Sequence, residues 1–509
     1  MNKRHIIVSA SILLTGTGIK AADSITDKTS QPNVILILAD DMGYGDVSVL
    51  NENSKIHTPN IDAMAQQGIT FTDAHSSSSL STPSRYALLT GRYAFRTTLK
   101  KGVIGGYGKP IIAADRPTLG TLFRNNGYST ACIGKWHLGW NWSKDENDKV
   151  DFNRPITEGP TERGFDYFFG ISASLDMPPY VYVENNTITA APNRTAKERK
   201  GIELFREGPL GADFEPETCL VNLREHAIDF LNDPQRKQQP FFLYLPLTAP
   251  HTPILPSAEF QGKSGLSPYG DFVLMVDDIV GRIRTTLKEK GLDENTIVIF
   301  TTDNGCAPYA DMKGMEKKGH YPSYIYRGAK SDIYDGGHRL PLIISWGKRH
   351  QGVINNELVC LADFYATFAQ MCHTKIANNV AEDSYSIWPI LKGNGHSKRD
   401  YIVHHSGEGF FSIRNDRWKL IFWGGSGGWC FPSLPKDAEY IATLPAMQLY
   451  DMKNDPSETQ NVVEQHPDIV KKLTDEMKRY IVNGRSTKGA KQSNDSMDNW
   501  PQIKLLMEK

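Results

Sequence analysis

The sequence predicts an α/β protein with a large helix-flanked sheet and a smaller C-terminal unit behind it. Three observations carry that reading. Residues 33–39 (NVILILA), 241–247 (FFLYLPL) and 296–302 (TIVIFTT) are continuous, largely apolar runs, which suits strands covered on both faces of a parallel sheet. Residues 217–232 and 271–290 place their leucines, isoleucines, valines and phenylalanines at helical spacing, and Gly291 stops the second of them. Near residues 374–400 the composition shifts, so the boundary is placed between a unit at 23–385 and one at 386–509.

At 509 residues and 39% hydrophobic content the chain can bury one large core and a smaller one. Its 57 basic and 58 acidic residues nearly cancel, which argues against nucleic acid as a bulk partner. Residues 1–22 run from Lys3 and Arg4 through a short apolar stretch to Ala21 and Ala22, the layout of a signal peptide and too short to span a bilayer. The chain is therefore expected to be secreted, into the periplasm, with no membrane partner. Six scattered cysteines form no CxxC pair, which points to neither a zinc site nor a disulfide-dense scaffold; one or two disulfides stay open.

The first apolar run ends in Asp40 and Asp41, and the glycines at 43 and 45 continue it as a loop. Ligands of open α/β sheets gather beyond the carboxyl ends of strands, so adjacent carboxylates there are placed for a hard cation, although either alone also suits a helix cap. Residues 59–68 read as a short helix, and 71–75 lead into a serine-rich stretch at 76–84. A helix at 117–127 and a strand at 129–134 then deliver Lys135 and His137. From 141 to 216 prolines, glycines and polar residues dominate, as in a long insertion bearing substrate-facing loops. The second apolar run delivers His251 between prolines, and the third ends in Asp303 and Asn304. A strand at 340–346 and helices at 361–372 and 467–482 follow, and the polar residues after Ser486 read as unstructured as far as a patch at 500–506.

Residues 81–85, Ser-Thr-Pro-Ser-Arg, continued by ALLTGR at 87–92, resemble the S/C-x-P-S-R signature of the type I sulfatases. GKWHLG at 134–139, GFDYFFG at 164–170, RGAK at 327–330, DGGHRLP at 335–341 and the segments at 412–422 and 448–461 extend the similarity from Asp40 to Asn461. The resemblance implies an alkaline phosphatase-like large mixed sheet, with a C-terminal subdomain of a small antiparallel sheet and a helix. It also implies that Ser81 is oxidised to formylglycine, whose hydrate offers one oxygen to attack sulfur and a second to expel sulfate. Because residue 81 is serine, the maturing partner would be an anaerobic sulfatase-maturating enzyme of the radical type. Arg85 completes the motif, Lys135 and His137 would contact the formylglycine and the sulfate, Lys330 the sulfate, and His251 would protonate the leaving oxygen. Asp40, Asp41, Asp303 and Asn304, with the hydrate at Ser81, would form an oxygen-only shell suited to calcium. Zinc is disfavoured, because no histidine pair has ligand spacing. Ala329 departs mildly from the family pattern and touches none of this chemistry.

The substrate reading is finer. The chain resembles bacterial N-acetylgalactosamine-6-sulfatase and galactose-6-sulfatase-like enzymes, which implies a sulfated glycan and a role for Asp176 and His226 in gripping the galacto sugar. His226 also fits the apolar face of its helix, three residues after Leu223, and Asp176 also fits a turn cap. The 141–216 region and a loop near His404 and His405 are the expected pocket walls. Another sulfate position, an aryl sulfate, a phosphate ester and a sulfoglycan-binding protein with unoxidised Ser81 remain as alternatives.

Overall fold

The computed structural model describes residues 31–498 and 500–507, so the expected leader at 1–22 lies outside the described residues. The described residues build an 11-stranded mixed sheet, a 4-stranded antiparallel sheet and a 2-stranded ribbon. The large sheet takes β1 (Asn33–Ala39), β2 (Gly68–His75), β3 (Ser129–Lys135), β4 (Tyr167–Ile171), β5 (Val183–Glu184) and β6 (Thr187–Ile188). The ribbon is β7 (Pro192–Ala196) and β8 (Gly208–Gly211). The large sheet resumes with β9 (Phe241–Pro246), β10 (Thr296–Thr302), β11 (Arg339–Trp346), β12 (Val353–Asn355) and β13 (Val359–Cys360).

The three apolar runs of the sequence lie side by side as β10, β1 and β9, parallel to one another and buried along their whole length. β3 and β4 extend the parallel part, while β11 runs antiparallel between β10 and β2 and makes the sheet mixed. The period-2 alternation of β1 divides the core. Ile35 and Ile37 face α1 (Pro59–Gln66) and the longer helices over 219–232 and 268–290, whereas Val34, Leu36 and Leu38 face the other layer. That second layer holds α2 (Ser81–Thr90), α3 (Leu119–Asn125) and a helix over 364–371. The long helices, α4 (Cys219–Asn232) and α5 (Pro268–Lys290), fall where the periodicity places them; Ser267 caps α5 by accepting from the Gly270 N–H.

The small sheet is β14 (Ile402–His405), β15 (Phe411–Arg414), β16 (Trp418–Ile421) and β17 (Gln448–Asp451), all antiparallel. A helix at Pro467–Val482 packs Leu473, Met477, Tyr480 and Ile481 into its core. A buried polar seam joins the two sheets. Arg414 reaches Asp73 at 2.7 Å and Asp335 at 3.1 Å, and Lys419 reaches Asp335 and Glu458, each at 2.8 Å.

His75, His338 and His404 meet inside this seam with ring nitrogens within 4.8 Å of one another, a grouping that sequence spacing did not reveal. The Arg414 guanidinium lies 3.0 Å from His75 Nε2 and the Lys419 ammonium 3.2 Å from His338 Nε2. With two cations against it, and the His338 and His404 rings stacked at 3.6 Å, the cluster is a packing device of the seam. His404 and His405 are themselves buried in β14, and the loop beside them, expected as a pocket wall, is the connection at 406–410.

Two further expectations change. All six cysteines are free, so the open question of one or two disulfides closes at none. The polar segment after Ser486 is held rather than loose: Arg92 donates to Ser493 O and Asp495, and Arg96 to Asn494. Arg96 also grips the fully buried Asp383 with two hydrogen bonds of 2.7 and 2.8 Å, and Tyr93 N and Ser486 N donate to the same carboxylate. Asp383→Asn leaves the Arg96 charge uncompensated in the interior, and urea unfolding should show a loss of about 3–5 kcal/mol.

Candidate active site

Because β3, β9, β1 and β10 are parallel, their carboxyl ends share one edge of the sheet. Ala39 pairs with Thr302, so the residues that follow, Asp40 and Asp303, leave the sheet side by side. Asp40 N donates to Ala249 O at 2.9 Å, which draws the His251 loop onto the same edge. β3 comes close to β9 at Gly134, where a Cβ would meet Pro246 O at 1.9 Å, and the next residue, Lys135, enters the cluster. Opposite them, α2 begins at Ser81 itself. All ten of its residues are buried, and Arg85, one turn on, faces the same way as Ser81.

Around Ser81 Oγ lie Asp40 Oδ1 at 3.3 Å, Lys135 Nζ at 3.3 Å and Asn304 Oδ1 at 3.5 Å. Arg85 donates twice to Asp303 Oδ2, at 3.0 and 2.7 Å, and lies 3.2 Å from Asp40. Lys135 pairs with Asp40 at 2.7 Å and Lys330 with Asp41 at 2.6 Å; His251 Nε2 is 3.6 Å from Asp41. Asn304 donates to Asp41 at 2.8 Å. Asp41 and His137 both hold positive φ, 64° and 55°, a conformation that non-glycine residues adopt at a cost and that the surrounding contacts here impose.

The electrostatics divide the carboxylates. Burial would raise the Asp40 pKa, but Lys135, His251, Arg85 and Lys330 together hold it well below the usual value. Asp303 is pushed above that value, because burial with Asp40 and Asp41 beside it outweighs Arg85 and Lys135. Lys330 stays charged, since Asp41 and Tyr309 offset its burial. His137 is driven well below an ordinary histidine by burial and by the charges of Lys135 and Arg85. It is thus neutral, donates from Nε2 to Ile104 O at 2.8 Å, and keeps a buried Nδ1 without a hydrogen-bond partner.

The structure thereby brings Ser81, Arg85, Asp40, Asp41, Lys135, His251, Asp303, Asn304 and Lys330 together, with His137 beside them. Asp176 is buried in the loop after β4, paired with the half-exposed Arg206, and its Oδ1 has no hydrogen-bond partner. His226 does not join the group: its ring stacks on Phe169 at 3.5 Å and its Nδ1 meets Asn222 O, so its contacts are those of a packed helix residue. Sequence reasoning missed Tyr309, whose hydroxyl is 3.4 Å from Lys330 Nζ, Arg206, and the Ile104 carbonyl that fixes His137. All three come from loops with no periodicity or motif to mark them.

A family model described as Sulfatase matches residues 32–374, which contain every residue of this cluster. The chain belongs to the sulfatase family. It is a sulfuric ester hydrolase, and residues 329–483 match a second model, described as the C-terminal part of N-sulphoglucosamine sulphohydrolase. An N-acetylgalactosamine-6-O-sulfatase of Bacteroides thetaiotaomicron is 33% identical over 91% of this chain and 96% of its own. Human arylsulfatase A is 31% identical over 85% of this chain and 83% of its own. A solved structure tied to the metabolism of multiple glycosaminoglycans by Bacteroides thetaiotaomicron superposes with a TM-score of 0.77 at 32% identity, covering 88% of this sulfatase and 98% of that chain.

Lys135→Gln removes the nearest cation from Asp40, whose pKa should then rise toward the normal carboxylate range. The acid limb of the kcat/KM profile should move to higher pH in this variant, in the residual activity that survives.

Proposed function

We propose that this sulfatase removes 6-O-sulfate from galactose or N-acetylgalactosamine in glycans, outside the cytoplasm, with Ser81 matured to formylglycine and calcium at the strand-end carboxylates. The observation that carries the reading is the convergence of Ser81 with three carboxylates, Asn304, two lysines and His251, in a chain 33% identical to an N-acetylgalactosamine-6-O-sulfatase.

The residues fit a hard cation. Asp40, Asp41 and Asp303 are crowded enough that Asp303 is pushed toward its neutral form, a repulsion that a cation relieves, and Asn304 adds an amide oxygen. Asp40, Asp41, Asp303 and Asn304 would hold calcium together with residue 81. When bound, calcium and the formylglycine hydrate supply charge neutralisation and a nucleophile whose ester is cleaved without attack by water. The chain's own groups do the rest. Lys135 and Lys330 place two fixed positive charges where sulfate oxygens bind. Arg85 keeps Asp303 in place through its two hydrogen bonds. His251 donates from Nδ1 to Thr252 O at 2.6 Å, which leaves Nε2 to carry the proton given to the leaving sugar oxygen. Neutral His137 keeps Nδ1 as a proton acceptor beside the cluster. Asp176 Oδ1, buried without a hydrogen-bond partner, is the acceptor offered to a sugar hydroxyl, in keeping with a site that distinguishes the galacto configuration.

Protein from the native host should show residue 81 short of two hydrogens by peptide mass, should lose activity to a calcium chelator and should regain it on adding calcium. Ser81→Cys made in a cell that converts cysteine should be active, and full turnover by unmodified Ser81 protein overturns the assignment. Asp176→Ala should lower kcat/KM on 6-sulfated N-acetylgalactosamine by about tenfold or more, while hydrolysis of a small aryl sulfate stays nearly unchanged. Equal losses on both substrates would assign Asp176 to the fold.

A further inference from the structure

The catalytic cluster is almost sealed: Ser81 is 1% exposed, Lys330 4% and His251 5%. On the carbohydrate reading the sulfate is held at these residues, so the ring that carries it lies outside them, against what borders the cluster at Lys330. Two aromatic side chains stand there. Tyr309 is 38% exposed and Trp429 47%, and each ring centroid lies 5.9 Å from Lys330 Nζ. The rings are 5.6 Å apart and inclined at 44°, which makes an angled wall. They come from segments 120 residues apart, and one buried carboxylate holds the Trp429 loop to the Lys330 turn. Asp332 Oδ1 accepts from Trp429 N at 2.8 Å and Cys430 N at 3.0 Å, and its Oδ2 accepts from Ala329 N at 2.9 Å. Trp429 is therefore an exposed aromatic ring on a fixed backbone, a costly arrangement for a solvent-facing loop and a common one for a binding surface.

We propose that Tyr309 and Trp429 form the stacking platform for the sulfated sugar, with Asp176 and Arg206 on the side of the hydroxyls. This rests on the carbohydrate substrate proposed above. In a galacto ring the axial O4 leaves the hydrogens of C3, C4 and C5 on the opposite face, a compact apolar patch suited to an aromatic ring; the equatorial O4 of a gluco ring does not gather them this way. The platform thus adds galacto preference from the apolar side, independently of any hydroxyl contact made by Asp176.

The test is calorimetric binding to the full chain with unmodified Ser81, so that nothing turns over, using N-acetylgalactosamine 6-sulfate, N-acetylglucosamine 6-sulfate and inorganic sulfate. Trp429→Ala should weaken the first ligand by about tenfold or more and narrow its advantage over the second, with inorganic sulfate unchanged. Trp429→Phe should restore most of the loss. Unchanged sugar affinity in Trp429→Ala overturns the platform, and so does an equal loss for inorganic sulfate, which would mean that Trp429 only props Lys330. If the unaltered chain binds the gluco sugar and not the galacto one, the substrate reading fails instead, and the effect of Trp429→Ala on the gluco ligand still decides the platform.

Discussion

Three carboxylates buried at the ends of two adjacent strands set the terms for the whole catalytic unit. A charge taken out of water costs several kcal/mol unless it is met, and whole proteins are stable by only about 5–15 kcal/mol. Asp40, Asp41 and Asp303 are met by Lys135, Lys330 and Arg85, which come from β3, from the turn before β11 and from α2. Three otherwise separate parts of the chain are thereby tied to one point. The three pairs match in number, yet tension remains: Asp41 and His137 sit in the left-handed region, and burial among the other carboxylates keeps Asp303 above its ordinary pKa. Such tension is bearable because β10, β1 and β9 beneath it are buried throughout and tightly registered.

The second sheet contributes more than a lid. Its Arg414 and Lys419 neutralise Asp73, near the end of β2, the strand that precedes α2, and Asp335, in the turn leading into β11. Asp335 is held well below the usual carboxylate value against its burial, with Lys419 and Arg414 as the largest opposing charges. The small sheet thus buttresses α2 from behind, while its loop at 426–432 reaches forward to Lys330. Both contacts pass through carboxylates of the segment 332–335, so that short stretch couples the rear seam to the front rim.

Much of this was legible in the sequence where chemistry is local. Apolar runs that end in Asp40-Asp41, Asp303-Asn304 and the His251 turn announce strand ends, and the Ser81 signature announces what they surround. α2 was not visible as a helix, because Pro83 and a serine-rich approach read as loop; proline is tolerated there since it falls in the first turn, where the backbone donors have no intrahelical partner. β2 was missed for a similar reason, as Thr72 and Asp73 interrupt its apolar pattern to serve the seam. The histidine cluster lay beyond reach: His75 and His338 are 263 positions apart, and only the pairing of β2 with β11 brings them together. His226 shows the converse, a residue given a role by resemblance for which helical periodicity also offered packing, and whose contacts in the structure are with Phe169 and Asn222.

Every residue of the helix that starts at Ser81 is buried, and this has a temporal meaning. No modifying enzyme can close its own active site around a side chain that is 1% exposed behind two lysines and an arginine. On the proposed chemistry, oxidation of Ser81 belongs to the interval between synthesis and closure of the fold. Maturation and folding then compete as rates, and the active fraction of a preparation records which was faster. A substitution that only hastens collapse around the strand ends would lower specific activity while leaving a protein just as stable and just as well folded.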